Sequence, residues 1–247
     1  MIRMILFLLG STLAARAENF NDVVLQQVKS MPQGGGYATT TSAHDALSSA
    51  ARIDAGGVRL LAARATPSYC SGATYLVFLK TLGELQRRGA LQIDRSQWAA
   101  LLPTKCADGE GVWGRWNANG PGTPRLFHEL GLGRNFVAID DARPGDFAKL
   151  FWTESVGRDE RGHSVIFLGI ETVDGVESVR FWSSNKPGGY GEKSVPRTKI
   201  ARAIFSRMES PKNISQVTSL PPRDPYLASL LTKVSSFAEA RRMSGVR

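Results

Sequence analysis

Two cysteines, Cys70 and Cys106, and three histidines, His44, His128 and His163, are all the thiol and imidazole groups of this 247-residue chain. They are not spaced as ligands are, which argues against a zinc site. Long apolar runs are also scarce. The stretch Met4 to Leu9 is far too short to span a bilayer, and no later stretch reaches the roughly 18 apolar residues that a span needs. Acidic side chains are outnumbered 22 to 31, for a formal charge of +9. Most of the excess lies in residues 197–247, which hold ten Lys or Arg against three Asp or Glu. Such a tail suits anionic cell-envelope polymers or lipid headgroups better than nucleic acid, or is simply a solvated surface rich in arginine. The 42% hydrophobic content is that of a globular protein and argues against general disorder.

The first residues read as a secretory signal. Arg3 supplies the positive charge, Met4 to Leu9 the apolar core and Ala15-Arg16-Ala17 a small-x-small cleavage site before Glu18. The expected division is a signal peptide (1–17), a helical extension (18–64), a main domain (65–210), and a proline-rich linker with a basic amphipathic helix (211–247). The extension ends its first helix at the break Pro32-Gln33-Gly34-Gly35-Gly36, and Ser42 to Leu61 is moderately helical. From Cys70 onward Tyr75, Phe78, Leu79, Leu82 and Leu85 recur with helical period, and Arg87-Arg88-Gly89 ends that helix. Residues 90–122 read as loop, followed by a short helix opened by Thr123-Pro124. Strands are expected over 136–139, 147–152, 163–170, 177–183 and 200–207. Helices first and an antiparallel meander second predict an α+β fold with the Cys70 helix packed on the sheet.

Cys70 falls at the first turn of that buried helix, after the turn-forming Pro67-Ser68-Tyr69. Unpaired N–H groups and the positive end of the helix dipole favour a thiolate there. His163 heads a strand in Gly162-His163-Ser164-Val165-Ile166-Phe167. A cysteine on a helix start and a histidine on a strand are the parts of a nucleophile and its base. If the hairpin that follows turns on the three residues Val173-Asp174-Gly175, facing residues have numbers summing to 348. His163 then faces Asn185, whose side chain orients the imidazole; a slip of one residue would turn Asn185 away and leave Ser183 as the alternative.

Three stretches resemble the NlpC/P60 and CHAP group of papain-like cell-wall cysteine peptidases and amidases. They are Tyr69-Cys70-Ser71-Gly72, Arg143-Pro144-Gly145-Asp146-Phe147 and Gly162-His163-Ser164-Val165-Ile166-Phe167-Leu168-Gly169, in the group's order, within about residues 65–207. The resemblance implies a papain-like fold and hydrolysis of a peptidoglycan amide, within the stem peptide or between glycan and peptide. Cys70 would be the nucleophile, His163 the base and Asn185 the orienting residue, chemistry that needs no metal and no organic cofactor. Tyr69 and Ser71, beside the nucleophile, would contact substrate, with the Tyr69 hydroxyl helping to bind the oxyanion. Tyr69 stands where NlpC/P60 members usually carry an acidic residue, and Ser183 where CHAP members often carry a glutamate. In the tryptophan-rich insertion, Trp113, Trp116, Asn117 and Asn119 either line a groove for sugar or peptide or pin the insertion to the core. Two other readings stay open: acyl transfer by the same dyad, and a silent wall-binding protein with Cys70 tied to Cys106.

Overall fold

The computed structural model describes residues 19–54 and 57–246; the expected signal peptide and its cleavage point lie outside them. The chain opens with helix α1 (Phe20–Lys29), strand β1 (Gly34–Gly35) and helix α2 (Thr41–Ser49), followed by strands β2 (Ala51–Asp54) and β3 (Gly57–Leu60). Four helices come next: α3 (Cys70–Arg87), α4 (Arg95–Leu101), α5 (Gly111–Asn117) and α6 (Gly122–Leu130). Strands β4 (Gly133–Phe136), β5 (Phe147–Phe151), β6 (Val156–Gly157), β7 (Gly162–Val173), β8 (Val176–Asn185), β9 (Gly189–Pro196) and β10 (Arg202–Met208) follow. The chain closes with helix α7 (Pro225–Ser229), strand β11 (Val234–Ser235) and helix α8 (Phe237–Met243).

The fold is α+β. Seven strands form one antiparallel sheet in the order β1-β9-β8-β7-β5-β10-β4. Helix α3 packs on β7 and β8. Leu76, Val77, Phe78, Leu79, Leu82 and Leu85 are fully buried, so nearly every side of α3 is covered. Each such side chain contributes about 2 kcal/mol by leaving water. Phe78 stacks on Trp116 and meets Phe147 edge-on, which ties helix, insertion and sheet into one core. The other sheet face has its own apolar layer of Leu150, Val165, Phe167, Phe181 and Phe205. No described helix is long and apolar enough to cross a membrane.

Several elements differ from the sequence expectation. Residues 51–54 and 57–60 pair as antiparallel strands instead of continuing a helix. The region expected as loop contains α4, opened by an Asp94–Gln97 capping box, and α5, held by buried Trp113 and Trp116. Residues 211–219 form 3-10 turns that bury Ile214 and Val217, not a free linker. The expected C-terminal helix is broken by β11, which pairs with β6; Ser236 then caps α8 by accepting from Glu239 N–H. Within the glycine run, Gly34–Gly35 is an edge strand against β9, not a break. Gly189 has a φ of +88°, and a Cβ there would lie 2.3 Å from the Gly34 carbonyl oxygen, so only two glycine-rich backbones approach this closely.

The Pro144-Gly145-Asp146 turn anchors the start of β5. Asp146 is fully buried and accepts from Arg207 Nε (2.9 Å), Arg207 Nη2 (2.6 Å), Asn21 Nδ2 (2.8 Å) and the Arg143 N–H (2.7 Å). This motif is therefore a structural clamp among α1, β5 and β10.

Candidate active site

Cys70 is the first residue of α3, and its N-cap, Tyr69, is extended and makes no side-chain cap. The first-turn N–H groups and the dipole of an 18-residue helix thus point toward the sulfur's surroundings. The backbone before it is fixed. Ser68 N–H donates to Gly36 O, Ala38 N–H donates to Ser68 O, and Ser68 Oγ donates to Ser184 Oγ at 2.8 Å.

His163 reaches this place from β7. The hairpin turns on two residues, Asp174 and Gly175, both with positive φ, not on the expected three. Close to the turn, facing residues therefore sum to 349, as in Val173 with Val176. A bulge between Phe167 and Gly169 then takes up one residue, and Phe167 faces Phe181, a sum of 348. The shorter loop and the bulge offset each other. His163 Nε2 lies 3.1 Å from Asn185 Oδ1. Asn185 Nδ2 donates to Gly191 O at 2.8 Å, which fixes the amide with its oxygen toward the imidazole. Nε2 then carries the proton, and Nδ1 is left for the thiol. Ser183 is excluded as the orienting group, because its buried hydroxyl donates to Ser164 O at 2.7 Å.

Burial pushes the Cys70 thiol up, yet it ends at about 6. The charge of His163 and its hydrogen bond, a hydrogen bond from the Ser164 N–H, and the charge of Lys149 overcome the burial. Lys149 faces Ser164 across β5 and β7, and its Nζ pairs with Glu160 Oε1 at 2.7 Å. Glu160 Oε2 in turn accepts from the N–H groups of Gly120 and Gly157. Gly162 leaves room for this pair: a Cβ there would come within 2.8 Å of Lys149 Nζ.

No family model, curated protein or solved structure matches this chain. The chemistry is therefore read from the side chains themselves.

The structure brings Cys70, His163 and Asn185 together, while the expected substrate contacts divide. Trp116 is 1% exposed and donates through Nε1 to Ser71 O, so it pins the insertion to α3 and offers no face to a substrate. Ser71 and Asn117 line the Cys70 cavity, joined by a 2.7 Å hydrogen bond from Ser71 Oγ to Asn117 Oδ1. Tyr69 lines the cavity as well, and its hydroxyl lies 2.8 Å from His44 Nδ1.

Tyr37, which sequence reasoning passed over, supplies the hydroxyl at the thiol. Burial raises its phenol, as do the charge of Cys70 and the hydrogen bond between them. Its N–H donates to Pro187 O, two residues after the orienting asparagine. The segment expected as an extension is thus built into the site, and His44 is half-buried beside Tyr69. His128 sits on the exposed side of α6 next to Gly245.

Cys70 and Cys106 are both free thiols, so the disulfide kept open above is not formed. Cys106 donates instead toward Glu110 O at 3.5 Å. Among the described residues no group of His, Cys, Asp and Glu is arranged to hold a metal ion.

Proposed function

We propose that this chain is an exported papain-like cysteine hydrolase of the NlpC/P60 and CHAP type, cleaving an amide bond in peptidoglycan. One observation carries the reading: a single imidazole engages Asn185 through Nε2 and the low-pKa Cys70 thiol on its other side. The motif resemblance supplies the substrate class.

The steps follow from these groups. The Cys70 thiolate attacks the amide carbonyl carbon, and the carbonyl π electrons move to oxygen. The oxyanion is met by the Cys70 N–H at the head of α3 and by the Tyr37 hydroxyl. The protonated His163 gives its proton to the amide nitrogen, the C–N bond breaks, and the amine leaves with the acyl group held on sulfur as a thioester. Water then attacks that carbonyl as His163 takes its proton. The C–S bond breaks, releasing a carboxylic acid and restoring thiolate and imidazolium. Asn185 keeps the ring oriented throughout, as the third member of a triad does. The signal-like N-terminus and the basic C-terminal part agree with work at an anionic envelope.

The test is Cys70→Ala on purified peptidoglycan, read by new amine and carboxyl ends. The wild type should release fragments and the variant none, with an unchanged melting curve. Equal release by both would remove the nucleophile.

A further inference from the structure

On the His163 side of the dyad, away from the Cys70 pocket, lies a second cavity of about 530 Å³. The two cavities share Tyr37, Glu160 and Gly162, so they meet at the reacting groups. Their charges differ. The Cys70 pocket has the carboxylate of Asp108, which accepts from the Asn119 N–H at 3.3 Å. The His163 cavity has an apolar floor of Trp152, Phe181 and Val195 and three cations, Arg161, Lys186 and Lys193. None of the three forms an ion pair with another described residue, and Lys186 lies 5.4 Å over the Tyr37 ring. The one carboxylate in this lining, Glu160, is already neutralised by Lys149 at 2.7 Å. Uncompensated positive charge over an apolar floor attracts an anion on a short carbon frame.

We propose that this cavity is an anion subsite that takes a carboxylate on the leaving-amine side of the scissile amide. The placement rests on the hydrolase reading, because the group that protonates the leaving nitrogen must stand beside it, and His163 borders this cavity. The favoured substrates then release an amine fragment with a free carboxylate close to the broken bond.

The test uses the thiol as a local probe. Rates of Cys70 alkylation by iodoacetate, an anion, and by iodoacetamide, its neutral analogue, are compared in the full chain, in R161Q/K186Q/K193Q and in the control R52Q/R59Q/K212Q. The iodoacetate-to-iodoacetamide ratio cancels any change in the thiol itself. It should fall about fivefold in the cavity variant, as the loss of three nearby charges in a wet site implies, and shrink with added salt. The control should keep the wild-type ratio. N-acetyl-alanine should also protect wild-type Cys70 from iodoacetamide better than N-acetyl-alaninamide does, and lose that lead in the cavity variant. An unchanged ratio, an equal fall in the control, or equal protection by both compounds overturns the subsite while leaving the nucleophile standing. Failure of iodoacetamide to label Cys70 at all overturns both.

Discussion

Replacing Lys149 by methionine breaks an ion pair whose side chains are only 10% and 4% exposed. Breaking such a pair from one side costs about 3–5 kcal/mol, because the remaining charge stays buried. Glu160 keeps two backbone N–H donors, so the lower end, about 3 kcal/mol, is expected. At roughly 2–4 °C per kcal/mol for a chain of this size, melting should drop by about 6–12 °C. Glu160→Gln should cost slightly less, since an amide oxygen still accepts from both N–H groups. The two variants part at the thiol. Lys149 is one of the charges that draw Cys70 down, so Lys149→Met moves its titration up. Glu160→Gln leaves that cation unneutralised and moves it down. Carboxamidomethylation of Cys70 against pH reads both. Shifts of the same sign in the two variants would refute the electrostatic role of the pair.

Asn185→Ala removes the acceptor of His163 Nε2; a hydrogen bond to a group that becomes charged is worth about 1.5–3 kcal/mol, so peptidoglycan cleavage should slow about 10- to 100-fold. Ser183→Ala, by contrast, should keep the rate within about twofold and lower only the melting temperature, and assays of both variants side by side decide which residue orients the ring. Gly189→Ala puts a Cβ against Gly34 at a positive φ and should cost about 2–4 kcal/mol. Because β1 leads directly to Tyr37, Cys70 alkylation should change in Gly189→Ala as well; a loss of stability with unaltered thiol reactivity would mean that Tyr37 is held some other way.

The nucleophile helix was legible because its signals are local: a turn, a cysteine and an unbroken apolar period from Tyr75 to Leu85. The pairing of His163 with Asn185 was reached through a wrong loop. The Asp174-Gly175 turn is one residue shorter than expected, and a bulge beside Gly169 restored the register. No local pattern marks that bulge, since its cause is the fit of β7 between β5 and β8. Strand β9 escaped notice because Gly189, Gly191, Glu192, Lys193 and Ser194 have little strand propensity; its order comes from pairing with β8 and β1. Tyr37 was illegible for the same reason. Its place depends on two glycine-rich backbones meeting, a tertiary fact. Trp116 shows the opposite limit, for composition marks a large aromatic but not which way it faces.

Solvent access and ionisation oppose each other at the two cysteines, and this gives the most direct measurement. Cys106 is exposed, but burial of its sulfur, with Glu110 and Asp108 nearby, keeps its thiol above the ordinary range. Cys70 is only partly accessible, yet its thiol is drawn down to about 6. Site-resolved iodoacetamide labelling of the folded, unreduced protein from pH 4 to 10 should show Cys70 reacting first, with a midpoint near pH 6 that His163→Ala moves toward the ordinary thiol value of about 8.5. Labelling that begins at Cys106, or a Cys70 midpoint near 8.5 in the wild type, would contradict an imidazole-activated nucleophile.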